Sequence, residues 1–66
     1  MPIYDIVEAA KVTKEDTVIE VGPGLGILTQ ELSIHTKKVI SLELDKSLLP
    51  LLTETLADCK NVEIIN

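Results

Sequence analysis

Thr17-Val18-Ile19-Glu20-Val21-Gly22-Pro23-Gly24-Leu25-Gly26-Ile27-Leu28-Thr29-Gln30-Glu31-Leu32 is the stretch on which the fold turns. Its first five residues are a β-branched run that stops at a glycine cluster, which reads as a strand. Beyond the glycines the apolar spacing changes: Leu25, Leu28 and Leu32 stand at i, i+3 and i+7, predicting a helix from about 25 to 34. A strand that passes through a glycine turn directly into a helix is the opening half of a strand-helix-strand unit.

The flanking sequence repeats the alternation. Upstream, Ile3, Ile6, Val7 and Ala10 recur at helical spacing opposite Asp5 and Glu8, so residues 3 to 11 read as an amphipathic helix. The polar Thr13-Lys14-Glu15-Asp16 turn separates it from the first strand. Downstream, Lys38-Val39-Ile40-Ser41-Leu42-Glu43 is a second strand, nearly continuous in apolar character, as expected where both faces of a parallel sheet are covered. Leu48, Leu49, Leu52 and Leu56 form a third helical stripe, read as core. Asp45 and Ser47 are the candidate N-caps, and Ser47 is preferred because it leaves Pro50 in the first turn, where a missing N–H is harmless. Val62-Glu63-Ile64-Ile65 is a third strand. Helices of about ten residues between strands imply parallel pairing with right-handed crossovers. The fold class is α/β: half of a Rossmann-like doubly wound fold, with three parallel strands in the order 3-2-1 and three helices.

Composition narrows the function. The chain has 66 residues, 45% hydrophobic and 26% charged, which is globular, and no apolar run reaches the ~18 residues of a membrane span. Six basic against eleven acidic residues give a net charge of −5, the wrong sign for holding a phosphate backbone, and Tyr4 is the sole aromatic available for stacking a base. The chain alone is therefore expected to bind nucleic acid poorly. One cysteine, Cys59, excludes an internal disulfide and a multi-cysteine zinc site, and no metal ligands are assigned. Met1-Pro2-Ile3-Tyr4-Asp5 has neither the basic stretch nor the long apolar core of a signal peptide, so a cytoplasmic location is expected. His35, without a partner at ligand or triad spacing, reads as a surface residue near a helix end. Cys59 reads as a half-buried structural thiol.

The chemistry concentrates around the glycines. Gly22, Gly24 and Gly26 lie where missing side chains let a ligand approach the backbone. Glu43 ends the second strand about twenty residues beyond Gly22, the spacing of a ribose-binding carboxylate. The dinucleotide fingerprint fails, because Ile27 stands where its third small residue belongs and would obstruct helix-strand packing. The phosphate-binding P-loop fails for want of a lysine followed by Ser or Thr. Glu20 at the loop entrance suits a cationic ammonium group better than a pyrophosphate, which points to S-adenosylmethionine.

The stretch Asp16 to Thr29, the later Lys38 to Asp45 and Val62-Glu63-Ile64-Ile65-Asn66 together resemble the ribosomal RNA adenine N6-dimethyltransferase family over nearly the whole chain. Related macrolide-resistance methyltransferases match less closely at Pro23. The resemblance implies S-adenosylmethionine bound with Gly22 near its methionine portion, Glu43 on the ribose hydroxyls and Leu44 beside the adenine. The cofactor-binding residues expected are therefore Glu20, Gly22, Gly24, Gly26, Glu43 and Leu44, with no catalytic residue assigned. Residues 1–66 correspond to the N-terminal half of the family's cofactor domain. The family's Gln-Asn-Phe-Leu-like segment, its Gly-Asp after the third strand, its Asn-Leu/Ile-Pro-Tyr/Phe motif and its helical C-terminal domain have no counterpart here. The isolated chain is accordingly expected to bind cofactor weakly or not at all and to transfer no methyl group, with ribosomal RNA a partner only of a full-length parent. The alternative is a minimal folding unit, natural or engineered, that self-associates and binds nothing. In either case the open edge of the first strand is expected to make a homo-oligomer.

Overall fold

The computed structural model describes residues 3–66, with side chains described from Val7 onward. Helix α1 spans Ile3–Ala10, strand β1 Thr17–Val21, helix α2 Ile27–His35, strand β2 Lys38–Leu42, helix α3 Leu49–Thr55 and strand β3 Val62–Ile65. A 3-10 turn, Lys46–Leu48, leads into α3. The three strands form one parallel sheet in the order β1-β2-β3, so β2 is central as the sequence implies.

The register produces two kinds of row. Val18, Val39 and Val62 stand side by side, as do Glu20, Ser41 and Ile64. Val39 and Ser41 are fully buried, and the valine row packs with Val7 of α1 and Leu28 and Leu32 of α2 in the main core. Alternation along each strand sends Ile19, Val21, Ile40, Leu42 and Ile65 to the opposite face. There Ile19 is 65% and Val21 74% exposed. The expectation that both faces of β2 are covered is thus met on one side only: among the described residues the buried core lies with Val39 and Ser41, while Ile40 and Leu42 are half-buried. On Ile3 and Ile6 of the predicted α1 stripe, side-chain burial lies outside the described residues.

Three predicted boundaries move, each for a local reason. The first helix stops at Ala10 because Lys11 turns left-handed at φ 54° and donates its N–H to the Glu8 carbonyl at 3.1 Å. Helix α2 begins at Ile27, two residues after the predicted start, because Gly24 and Gly26 take φ of 60° and 85°. Leu25 consequently stands 57% exposed in the loop instead of on the helical stripe. Neither candidate caps the third helix: Asp45, not Ser47, caps the 3-10 turn before it, and α3 itself has Leu48 at its N-cap with no side-chain cap bond. Asp45 Oδ1 accepts from the Ser47 N–H at 2.9 Å and the Ser47 hydroxyl at 2.6 Å, closing the 3-10 turn, and α3 starts afterwards with Pro50 in its first turn. The Leu48–Leu56 stripe holds in its second half: Leu52 is fully buried and Leu56 nearly so, while Leu48, in the 3-10 turn, and Leu49 are half-buried.

Candidate functional site

The loop between β1 and α2 continues the sheet before it leaves it. Gly22 donates its N–H to the Leu42 carbonyl at 2.9 Å, which fastens the first glycine to the residue preceding Glu43. The Gly26 N–H then reaches the Pro23 carbonyl at 3.0 Å, closing a tight turn, and the Gly26 carbonyl takes the first helical hydrogen bond from Gln30 at 2.9 Å. Glycines 22 and 24 face open space: a Cβ on either would meet no atom within 4 Å. Gly26 is different, because a Cβ there would lie 3.1 Å from Leu52 Cδ2 and 3.5 Å from Leu56 Cδ2. It is the close-packing position of the motif, the place where α3 touches the loop. Ile27, expected to obstruct helix packing, is instead 53% exposed, because the late start of α2 turns it outward.

The two acidic residues sit along the same carboxyl edge of the sheet. Glu20, half-buried, has one oxygen, Oε1, that accepts from the hydroxyl of Ser41 on β2 at 3.0 Å and from the hydroxyl of Thr29 on α2. Both donors are fully buried. Glu43 is only 6% exposed, and its Oε2 accepts the Asp45 N–H at 2.9 Å. Its backbone is pinned to the end of β3, donating to the Ile65 carbonyl at 2.8 Å and accepting from the Asn66 side-chain amide at 2.7 Å. A carboxylate oxygen offers more than one lone-pair site, so the Asp45 bond leaves Glu43 able to accept further donors. Leu44, next to it, projects 86% exposed. The structure therefore brings Glu20, Gly22, Gly24, Glu43 and Leu44 to one edge and gives Gly26 the role of holding α3 against the loop.

Thr29 and Ser41 were not singled out from sequence. The signal was present: a serine at the helix-facing position of an otherwise aliphatic strand, and a threonine in the turn of α2 between Leu28 and Leu32. A buried hydroxyl in such company requires an acceptor, and here both have the same one.

Other features lie apart from this edge. His35, at the end of α2, has its Nε2 3.2 Å from Glu31 Oε1, an i,i+4 pair. Cys59 is half-buried, as read from sequence, with its sulfur 3.5 Å from the Ser33 hydroxyl. Both border or neighbour an open groove of about 750 Å³ between α2 and the turn before β3, lined by Gln30, Ser33, Asp58 and Asn61 among others. It includes none of the loop glycines and neither Glu20 nor Glu43. Among the described residues, no set of three or more His, Cys, Asp or Glu is arranged to hold a metal ion, and no helix is long and apolar enough to cross a membrane.

A parallel sheet with a glycine turn after its first strand and acidic residues at its carboxyl edge is a Rossmann-like architecture, and comparison with known proteins places it among methyltransferases. The crystal structure of the 23S rRNA methyltransferase ErmE superposes with a TM-score of 0.90 at 39% identity, over 97% of this chain and 26% of that one. A dimethyladenosine transferase from Plasmodium falciparum does so with a TM-score of 0.84 at 33% identity, over 94% of this chain and 24% of that one. The family description ribosomal RNA adenine dimethylase matches residues 2–66, and the chain belongs to that family. Among curated relatives, the ribosomal RNA small subunit methyltransferase A of Alkaliphilus metalliredigens is 50% identical over 64 residues, 97% of this chain. The chain spans about 22% of that relative's length.

Proposed function

We propose that residues 1–66 form the N-terminal half of an S-adenosylmethionine-binding domain belonging to an rRNA adenine N6-dimethyltransferase of the cytoplasm. The observation that carries this reading is the carboxyl edge itself, where Gly22 and Gly24 face open space at the end of β1 and Glu43 follows the end of the neighbouring β2. The arrangement fits the cofactor's chemistry. Bare backbone at Gly22 and Gly24 admits the methionine portion, Glu20 offers a carboxylate to its ammonium group, Glu43 accepts from the ribose hydroxyls, and exposed Leu44 offers an apolar surface to the adenine. The cofactor, when bound, supplies an electrophilic methyl group on a sulfonium. The residues of this chain bind and orient; the small-subunit rRNA adenine that receives the methyl is the substrate of the longer protein.

The binding claim is tested by calorimetry with S-adenosylmethionine and S-adenosylhomocysteine at millimolar concentration, with a nicotinamide dinucleotide as control. Charge-assisted hydrogen bonds to the ribose are worth ~1.5–3 kcal/mol, so Glu43→Ala should lower affinity roughly tenfold to over a hundredfold. Unchanged affinity in Glu43→Ala, or equal affinity for the dinucleotide, overturns the assignment. Binding of neither compound by the unaltered chain favours the second reading, a folding unit that binds nothing.

We further infer that the chain in isolation pairs with a second copy. Among the described residues the β1 edge has no neighbour in the sheet, and the face bearing Ile19, Val21 and Ile65 is apolar and largely open. Such surfaces favour association.

A further inference from the structure

We propose that Thr29 and Ser41 are positioning residues that orient Glu20 toward the cofactor's ammonium group, an inference that rests on the S-adenosylmethionine reading above. Both hydroxyls donate to the same atom, Oε1 of Glu20, one from α2 and one from β2. Among the described residues no hydrogen bond reaches Oε2. A carboxylate gripped at one oxygen by two rigid elements has its plane and its second oxygen fixed, which a solvated strand-end glutamate does not.

The choice of partner by Thr29 is informative. Hydroxyls in a helix commonly bond back to a carbonyl three or four residues earlier. In this same helix Ser33 does so to Gln30 at 2.6 Å, and Thr36, just past its end, does so to Leu32 at 2.7 Å. Thr29 instead reaches out of the helix to β1. Ser41 sits opposite Glu20 in the parallel register, in a strand position where its neighbour two residues earlier is the fully buried Val39. A hydroxyl at that position packs no better than a methyl group and has one use, its hydrogen bond. Two buried polar side chains thus converge on one acid at the mouth of the glycine loop.

The test separates orientation from folding by comparing two ligands. S-adenosylhomocysteine carries the amino-acid ammonium; 5′-methylthioadenosine has the same nucleoside and a thioether without it. Thr29→Val and Ser41→Ala should each weaken S-adenosylhomocysteine roughly threefold to tenfold, the range of one net hydrogen bond, and leave methylthioadenosine unchanged. Thr29→Ser, which keeps the hydroxyl, should restore binding. Equal weakening of both ligands would mean a merely structural role and overturn the inference, as would no weakening of either. If Glu20→Ala abolishes the preference for S-adenosylhomocysteine while the two hydroxyl variants do not, the cofactor reading stands and the positioning inference fails. If the unaltered chain binds neither ligand, the reading itself fails. The clamp is also checked without ligand. Coupling between Glu20→Ala and Thr29→Val in urea unfolding should be clearly non-zero, and zero coupling overturns it.

Discussion

Gly26→Ala separates the glycine that holds the fold together from those that border open space. Two terms oppose the substitution. Gly26 has φ 85°, in the left-handed region where an L-residue costs about 1–2 kcal/mol. The new Cβ would also lie 3.1 Å from Leu52 Cδ2 and 3.4 Å from Thr55 Cγ2. Leu52 is fully buried and has little room to retreat, so overpacking adds about 1–3 kcal/mol. The reduced entropy of the unfolded chain returns about 0.4–1 kcal/mol. The net loss is about 2–4 kcal/mol, a large share of what a chain this short can have at ~0.05–0.15 kcal/mol per residue. Gly24→Ala, with φ 60° but nothing within 4 Å of its Cβ, incurs only the backbone term and should lose no more than about 1–1.5 kcal/mol. Urea unfolding followed by circular dichroism measures both. In a Leu52→Ala background, which itself costs about 2–5 kcal/mol, Gly26→Ala should become milder by an amount within the usual 0.5–3 kcal/mol range for touching residues. Equal losses for the two alanine variants, or a Gly26 effect that persists unchanged in Leu52→Ala, would refute the assignment of Gly26 to helix packing.

Asp45 gives the pH prediction. The Ser47 hydroxyl, and secondarily the Ser47 backbone N–H, hold its carboxyl below the ordinary value of 3.8. Since the folded value is the depressed one, the cap's contribution is complete above about pH 3.8 and disappears as pH falls through the lower folded value. NMR titration should show Asp45 titrating below 3.8, and Ser47→Ala should raise its midpoint; no movement would remove the hydroxyl as the main cause. Self-association through β1 predicts a dimer or larger species in sedimentation equilibrium, shifted toward monomer by Ile19→Lys, since an edge lysine opposes strand pairing. A cooperatively folded monomer at hundreds of micromolar would contradict it.

The fold was legible because its two periodicities are clean. The β-branched Thr17–Val21 run and the Leu28/Leu32 and Leu52/Leu56 repeats each commit a segment, and the structure matches β1 at both ends. Boundaries were harder wherever backbone conformation overrode side-chain pattern. Leu25 fits the α2 stripe by spacing, yet positive φ at Gly24 and Gly26 keeps it out of the helix. Asp45 and Ser47 were both acceptable caps, and the outcome depended on an intervening 3-10 turn that no hydrophobic pattern records. At the candidate site, spacing alone nominates Glu20, the glycines and Glu43. It does not give their surroundings: only the β1–β2 register puts Ser41 beside Glu20, and only packing of α2 on the sheet puts Thr29 there. Gly26's separate task likewise depends on where α3 comes to rest.

The central claim is that the cofactor lies across the carboxyl edge, over Gly22 and Gly24 and against Glu43. Titration of S-adenosylhomocysteine into the isotopically labelled chain, followed by amide NMR shifts, tests it residue by residue. The predicted result is saturable movement of the Gly22, Gly24, Glu43 and Leu44 amides, with Lys60 and Asn61 beyond α2 unmoved. Absence of any shift at millimolar ligand, or movement centred on the groove lined by Gln30, Ser33 and Asn61, would contradict it.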